Sequence, residues 1–264
     1  MVSARAWSPP PLIANPWLRW AIYGGALVYL VLALGSVEVN WARVADGFER
    51  GWKFLAGFLQ PNFAARWREI VDGMRESLTM TLTATVTGVA LAVPIGLGAA
   101  RNIAHPSLYL GCRAVIAIAR SFQEVIIAIL FVAMVGFGPF AGFLTISFCT
   151  IGFLSKLLAE DIEDADPAQL EAVRATGCGW LQWVNYSVQP QVMPRLIGLC
   201  LYRLDINFRE SAVVGIVGAG GIGATLNTAI SRYEFDVGAA VLLIIIAIVM
   251  VAEYASSYMR KWVQ

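Results

Sequence analysis

Long uncharged stretches dominate the hydrophobic pattern of this chain. Three runs of 18, 24 and 31 residues contain no Asp, Glu, Lys or Arg, at 20–37, 77–100 and 125–155. A helix needs about 20 mostly apolar residues to cross a bilayer. With the apolar regions around and after these runs, the pattern predicts six transmembrane helices, at about 20–37, 77–100, 107–135, 139–155, 192–214 and 237–259.

The run at 125–155 is too long for one span, and its middle holds a turn signal. Gly136, Gly138 and Pro139 lie there together, and glycine and proline are the strongest local breakers of a helix. The pattern therefore predicts a third span that extends from 107 through Arg120 and Glu124 to this turn, followed by a fourth span.

The segment between the first two spans has a different pattern. Residues 41–59 alternate tryptophan and phenylalanine with charges, which indicates an amphipathic helix at the membrane surface. We therefore divide the chain at about residue 75. Residues 1–75 hold a tail, the first span and this periplasmic amphipathic segment, and residues 76–260 form the main transmembrane domain.

Composition supports an all-α integral membrane protein. Apolar residues make up 58% of the chain and charged residues 14%, with mean hydropathy +0.68 and net charge +1. These values exclude a disordered chain, a coiled coil and an ordinary cytosolic enzyme. The net charge is too low to create the positive electrostatic potential that attracts nucleic acid. The first apolar run is too long for a cleavable signal peptide.

Candidate chemistry is sparse. The four cysteines are far apart and suit apolar packing rather than a metal site, and the single histidine, His105, stands in a short turn. A catalytic set is not visible. The sequence has no G-x-x-x-x-G-K-[ST] phosphate loop, so any ATP that drives the protein must bind to another subunit.

A polar island at 160–190 interrupts the apolar pattern. Asp166 before Pro167 predicts a helix start, with Gln169 completing a loose capping box, and Gly177 predicts a left-handed helix end. We expect helices at 167–176 and 180–189, the second stopped by Pro190. The unit could insert its exposed face into a groove of a partner protein, or it could be a plain loop between spans.

The same island resembles the EAA loop of ABC importer permeases. Glu171, Ala172, Gly177 and Pro190 match the family pattern, whereas Val173, Ser187 and Gln189 depart from it. In that family the loop docks on the ATPase subunit, so the resemblance implies that the four matching residues couple this chain to an ATPase.

Two further segments resemble the phosphonate branch of these permeases. They are Arg120–Glu124 leading into 135–142, and 201–209 leading into 211–223. The resemblance extends over about 70–260 and implies a type I core of five helices plus one N-terminal helix. The substrate would be a phosphonate or a related oxyanion such as phosphite or hypophosphite.

The resemblance also implies partners and a location. These are a second copy of the chain, two ATPase subunits that bind ATP and magnesium, and a periplasmic or lipid-anchored phosphonate-binding protein. The chain would lie in the cytoplasmic (inner) membrane with both termini cytoplasmic, which a small excess of Lys and Arg on that side also favours.

Charges inside the predicted spans are the candidate anion path. Arg120 and Glu124 are four residues apart, as are Asp205 and Arg209, while Arg203 and Glu210 share a face. They are either self-satisfied ion pairs, or one or more of Arg120, Arg203 and Arg209 face a path for oxyanions. We expect the helix face that carries Arg203 to border the path, and Arg209, paired with Asp205, to be more structural.

A glycine-rich motif follows the fifth span. Gly218, Gly220, Gly221 and Gly223 fit G-x-G-x-x-G, but they lie among spans rather than in a βαβ unit, so a dinucleotide site is excluded. We expect a gate or bend there, with close helix packing as the alternative.

Other functions stay open at this point. They are a permease of the same class for a different small solute, a secondary carrier, or a membrane-embedded enzyme. A carrier usually shows two repeated halves, and no internal repeat is visible in the sequence.

Overall fold

The computed structural model describes residues 13, 15–36 and 41–263. All regular elements in these ranges are helical, and the chain divides into two units, one up to Lys53 and one from Phe54. The helices are α1 (Pro16–Ser36), α2 (Trp41–Phe58), α3 (Trp67–Gly98), α4 (Pro106–Ser121), α5 (Glu124–Val135), α6 (Pro139–Glu163), α7 (Pro167–Arg174), α8 (Trp180–Trp183), a π-helical segment (Val184–Val188), α9 (Gln189–Ile216), α10 (Gly221–Ser231) and α11 (Phe235–Val263).

Five of the six predicted membrane spans are confirmed, in the predicted order. In the described ranges, five helical stretches are long and apolar enough to cross a bilayer, and the bent pair of α4 and α5, at the place of the predicted third span, makes a sixth if it counts as one span. Helix α3 begins at Trp67, ten residues before the predicted span, because the polar residues ahead of the apolar run continue the same helix. Residues 37–40, which include the predicted end of the first span, lie outside the described residues.

The two N-terminal helices match the predicted pattern. Helix α1 has no buried residue, and large apolar side chains such as Leu27 and Leu30 are exposed along it, as suits a helix surrounded by lipid. Helix α2 occupies Trp41–Phe58, where the amphipathic helix is predicted. Its place at the membrane surface stays a prediction, and residues 1–12 of the predicted tail lie outside the described residues.

Small residues let α3 and α6 pack closely along their length. Ser147 Oγ donates to the Ala84 carbonyl at 3.4 Å, and Ser155 Oγ donates to the Ala92 carbonyl at 3.1 Å. At Gly88 an added Cβ would lie 2.6 Å from Thr150 Cβ, closer than real side chains approach. Small residues with polar cross-links are the usual means of helix association in membranes, and this pair forms the centre of the second unit.

The third span is broken rather than continuous. Helices α4 and α5 meet at an angle of 95° across Phe122 and Gln123. The expectation that Arg120 and Glu124 pair along one helix face is therefore wrong, because no common helix carries them. The turn predicted between the third and fourth spans is confirmed, with φ of +91° at Gly136 and +134° at Gly138.

The connections of the second unit gather at two ends. At one, the turn 99–105 meets the last turn of α6, where the Arg101 amide donates to Glu163 at 2.8 Å; we call this the coupling end, together with residues 164–191. At the other, the Gly138 amide donates to the Gly218 carbonyl at 3.0 Å; we call this the glycine end.

The glycine end is also held by ion pairs. Arg66 Nε lies 2.6 Å from Glu234 Oε2, and Arg66 Nη1 lies 2.8 Å from Glu69 Oε2. The hydrogen bonds that the Arg66 guanidinium donates to Glu234 and Glu69 raise its pKa above its ordinary value. These contacts join the residues before α3 to the turn between α10 and α11.

Candidate functional site

Helix α7 begins at the predicted cap. The Asp166 side chain accepts a hydrogen bond from the Ala168 amide at 2.9 Å, and Pro167 occupies the first turn. The predicted capping box with Gln169 is wrong, because the Asp166 amide donates to Gln191 Oε1 at 2.9 Å instead. Asp166 thus ties the start of α7 to the first turn of α9.

The turn after α7 has the predicted left-handed glycine. Gly177 has φ of +75°, a conformation that costs glycine little and other residues more. Helix α7 ends at Arg174, two residues before the predicted end. The chain bends through Ala175–Gly179 and exposes Glu171, Ala172 and Gly177 at the surface of the coupling end.

Pro190 does not stop the second helix, contrary to the prediction. Helix α8 continues through the π-helical segment into α9, and Pro190 lies in the first turn of α9. The Gln189 amide bonds to the Val184 carbonyl five residues earlier. The wider π turn shifts the hydrogen bonding so that the missing amide of Pro190 does not end the helix.

The coupling unit, residues 164–191, is fastened to the ends of the spans. Trp183 Nε1 donates to the Leu170 carbonyl at 2.9 Å, and Ser187 Oγ donates to the Gln169 carbonyl at 3.2 Å. Both side chains are buried, and the apolar cluster around Trp183 continues into α3, α4 and α6. The coupling unit is therefore packed against three spans.

Arg203 is buried and paired with Glu210, as in the ion-pair alternative, and its role at a path stays a prediction. Its Nη1 and Nη2 donate to the two carboxylate oxygens of Glu210 at 3.2 and 3.0 Å. Its Nε donates to Thr150 Oγ1 at 3.3 Å, and its guanidinium lies 5.3 Å from the centre of the Phe153 ring. A bidentate pair with these extra contacts satisfies the charge inside the protein.

A polar network extends from this pair to the centre of the unit. Asn207 Nδ2 donates to Thr85 Oγ1 at 2.8 Å and to Thr150 Oγ1 at 2.9 Å. Thr85, Thr150 and Asn207 are buried and join α3, α6 and α9. Sequence reasoning missed these three residues, because a lone Thr or Asn in a span carries a signal only when its partner on another helix is known.

Arg209 and Arg120, unlike Arg203, are exposed. Arg209 Nη2 lies 2.9 Å from Asp205 Oδ2, as the spacing predicts, yet the Arg209 side chain is 58% exposed. Arg120 is exposed at the last turn of α4, beside the break. Glu124, across the break, lies against the Glu210 carboxyl rather than Arg120.

The glycine motif forms the turn between α9 and α10. Gly218, Gly220 and Gly221 have φ of +99°, +77° and +72°, and Gly223 packs against the Ala212 carbonyl with no room for a Cβ. The geometry thus combines the bend and the close packing that the sequence left as alternatives. Whether the turn opens as a gate stays a prediction.

Two residues that sequence reasoning missed cap the helix after this turn. Glu76 Oε2 accepts from the Gly221 amide at 3.1 Å, and Ser77 Oγ accepts from the Ile222 amide at 2.9 Å. Both lie on α3, 145 positions before the amides they bind. Across the described ranges, no group of three or more His, Cys, Asp or Glu residues is placed to hold a metal ion.

The fold defines the class of protein. It is similar to the permease chain in the solved inward facing structure of the MetNI methionine ABC transporter, with a TM-score of 0.67 and 23% identity over 76% of this chain and 99% of that chain. An all-helical unit of this architecture is the fold of a type I ABC importer permease.

The sequence identifies the family. Residues 92–264 match the family described as "Binding-protein-dependent transport system inner membrane component", and the chain belongs to that family. It is therefore a multi-pass component of the inner membrane and a transport subunit rather than an enzyme.

Two relatives are similar over most of this chain. The phosphate-import permease protein PhnE of Mycolicibacterium smegmatis is 42% identical over 202 residues, 76% of this chain but 38% of that protein. The phosphite transport system permease protein PtxC of Stutzerimonas stutzeri is 36% identical over 208 residues, 78% of this chain and 76% of that protein. The chain thus spans under two fifths of the first relative's length.

Proposed function

We propose that this chain is the permease subunit of an ATP-driven importer for a phosphorus oxyanion such as phosphate, phosphite or a phosphonate. The names of the two relatives support the substrate class, because one imports phosphate and the other phosphite. A homodimer would form the path. Two ATPase subunits would bind ATP and magnesium, and a phosphonate-binding or related binding protein would deliver the anion from the periplasm.

The exposed coupling turn carries this proposal. Glu171, Ala172 and Gly177 protrude at one end of the spans, while Trp183 and Leu170 fasten the unit beneath them to the apolar core. Such a unit suits the transfer of motion from an ATPase to the membrane helices. We infer that the coupling end and both termini face the cytoplasm, where ATP is available.

Two glycine variants test the coupling role. An added Cβ would meet nothing within 4 Å at Gly177 and only Gln182 Oε1, at an ordinary 3.9 Å, at Gly179. Only Gly177 has a positive φ, since φ is −68° at Gly179. Gly177→Val strains the turn, so we expect at least tenfold slower ATP-dependent uptake of labelled phosphite and weaker ATPase association. Gly179→Val is the matched control and should transport normally.

The substrate class needs a separate measurement. The binding protein that works with this chain should bind phosphate, phosphite or methylphosphonate, and it should not bind sulfate with equal affinity. Equal competition by sulfate for uptake would contradict the proposed specificity, and normal uptake by Gly177→Val would contradict the coupling role of the turn.

A further inference from the structure

A small cavity lies between α3, α9 and α11. Its volume is about 180 Å³, and most of its wall is apolar, with Leu204, Phe208 and Ile248 among the residues that line it. Leu78 and Leu82 also line it and are 41% and 53% exposed. The cavity therefore opens sideways, at the outer surface of the spans, and we call it the span cavity.

Two buried polar atoms in the wall of the span cavity have no hydrogen-bond partner within the described ranges. They are Thr81 Oγ1 and Asp205 Oδ1, and the two residues are 2% and 8% exposed. A buried polar atom without a partner costs free energy. A group that enters the cavity can supply the hydrogen bonds that the chain itself does not.

Thr81 differs from the threonines that follow it in α3. Thr83 Oγ1 donates to the Thr79 carbonyl at 2.7 Å, and Thr85 Oγ1 donates to the Thr81 carbonyl at 2.7 Å. This bond to the preceding turn is the usual one for a threonine inside a helix. The Thr81 hydroxyl makes no such bond, so its hydrogen is available to the cavity.

The charge balance of the span cavity favours a neutral occupant. Asp205 Oδ2 already pairs with Arg209 Nη2 at 2.9 Å, while Oδ1 can accept a further hydrogen bond. Ser256, the third polar residue of the wall, donates to the Leu201 carbonyl at 3.4 Å. An additional ion would bring an unbalanced charge into a largely apolar space, at a high cost in free energy.

A hydroxyl group suits both unpaired atoms, because it can donate to Asp205 Oδ1 and accept from Thr81 Oγ1. Water has the same chemistry, but one water takes only about 30 Å³ and would leave most of the apolar wall without contacts. An apolar cavity of about 150 Å³ can bind benzene. The occupant that fits the whole cavity is therefore an alcohol with an apolar body.

The depth of the cavity limits where this occupant comes from. Asp205 lies 16 residues from Gln189 and 11 residues from Ile216, the two ends of α9, which is about 24 and 16 Å at 1.5 Å per residue. The hydroxyl groups of lipid headgroups lie outside the hydrocarbon core, which is about 30 Å thick. The occupant is thus a small molecule dissolved in the core of the bilayer.

We propose that the span cavity binds a small neutral alcohol from the bilayer, with its hydroxyl at Asp205 and Thr81 and its apolar body against Leu204 and Phe208. The bound alcohol joins α9 to α3 and α11. This site is separate from the coupling unit and from the glycine turn, and the proposal does not depend on the substrate of the transporter.

Photolabelling of the full-length chain in lipid nanodiscs tests the site. The probe is 3-azioctanol, an octanol whose diazirine labels neighbouring side chains on illumination, and mass spectrometry locates the label. We expect label on residues of the cavity wall such as Leu204 and Ile248. The matched probe 3-azioctane lacks only the hydroxyl and should label them roughly fivefold less, as the loss of one hydrogen bond predicts.

Threonine variants give the second comparison. Thr81→Val keeps the shape but removes the hydroxyl, so labelling of the cavity by 3-azioctanol should fall roughly fivefold, and Thr81→Ser should restore it. Thr83→Val is the matched control, because the Thr83 hydroxyl bonds to its own helix and does not line the cavity. Its labelling should stay within about twofold of the wild type.

The opposite results would overturn the proposal. Equal labelling of the wall by 3-azioctanol and 3-azioctane would show that the hydroxyl is not recognised and that a lipid acyl chain can fill the cavity. Absence of label from the wall would show that the cavity is closed to alcohols, as it would be if a second copy of the chain covered it. Both results come from the wild-type chain, so they do not depend on how well a variant folds.

Discussion

At the scale of single residues, arginines in one helix have opposite surroundings. Arg203 is 4% exposed at its side chain and bound on both sides of its guanidinium fork, whereas Arg209 is 58% exposed. The sequence placed Arg203 at the path and gave Arg209 the more structural role, because spacing shows which residues share a helix face but not which face is buried. We therefore interpret Arg203 as a positioning residue, and Arg209 and Arg120 as the candidates for the anion path.

Removal of the partner of Arg203 should destabilise the protein. Glu210→Gln leaves a buried guanidinium without its carboxylate, which costs about 3 kcal/mol or more in proteins, so the thermal midpoint in detergent should fall and less folded protein should be recovered. Glu253→Gln, at an exposed position of α11, should have little effect. Equal midpoints for the two variants would contradict the structural role of the pair.

Arg120 should affect transport more than folding, whereas Arg209 should affect both. A cation on a span is costly unless water, an anion or another group meets it, so we expect Arg120 and the exposed Arg209 to border the path of the dimer. Arg120→Gln should slow uptake at least tenfold while ATPase association is kept. Arg209→Gln should also slow uptake, but less folded protein should be recovered, because the buried carboxylate of Asp205 loses its partner at 2.9 Å. Arg68→Gln, an exposed arginine before the apolar part of α3, serves as the control, and uptake unchanged in both variants would exclude these residues from the path.

At the scale of elements, the packing of α3 on α6 determines the centre of the molecule. These helices approach closely at Gly88, where Thr150 leaves no space for a methyl group. Thr150 also accepts from Asn207 and Arg203. The contact between the two helices and the polar network therefore depend on the same threonine.

Gly88→Ala should loosen this contact. The added methyl group requires α3 and α6 to separate, and overpacking of this kind costs about 1–3 kcal/mol. Gly111→Ala is the matched control, because nothing lies within 4 Å of its Cβ position and alanine favours a helix over glycine. In thermal unfolding of the purified chain, the midpoint of Gly88→Ala should lie below that of the wild type, and the midpoint of Gly111→Ala should not. A midpoint of Gly88→Ala equal to or above that of the wild type would refute the tight contact.

The elements predicted from sequence are those with local causes. Asp166 before Pro167 and the glycine at 177 specify their turns within a few residues, so the start of α7 and the left-handed turn were foreseen. The break between α4 and α5 falls at Phe122 and Gln123, neither of which is a helix breaker, so tertiary contacts must select it. The π-helical segment likewise has no local sequence signature, because tertiary contacts select it.

The candidate site was predicted in part. The exposed turn with Glu171 and Gly177 could be located from sequence, whereas the caps from Glu76 and Ser77 could not, because 145 positions separate them from the amides they bind. Long-range partners of this kind depend on how the spans pack, which a hydrophobic pattern does not specify.

At the scale of the whole molecule, the proposed function requires that the energy for transport comes from another subunit. The sequence of this chain lacks a phosphate loop, and its family is a membrane component of transport systems. The purified chain alone should therefore neither bind nor hydrolyse ATP, as measured by nucleotide binding and phosphate release. Hydrolysis that persists after contaminating ATPases are excluded would overturn the importer reading.

The continuous helical stretch formed by α8, the π-helical segment and α9 gives the molecule a mechanical property. From Trp180 to Ile216 the chain is helical without interruption, a length of about 55 Å at 1.5 Å per residue, well beyond the hydrocarbon thickness of a bilayer. One end of this rod carries the coupling unit and the other enters the glycine turn at Gly218. A tilt of about 5° at one end would move the other by about 5 Å over this length. Such leverage is enough to separate Gly138 from Gly218, whose hydrogen bond of 3.0 Å joins α6 to the far end of the rod.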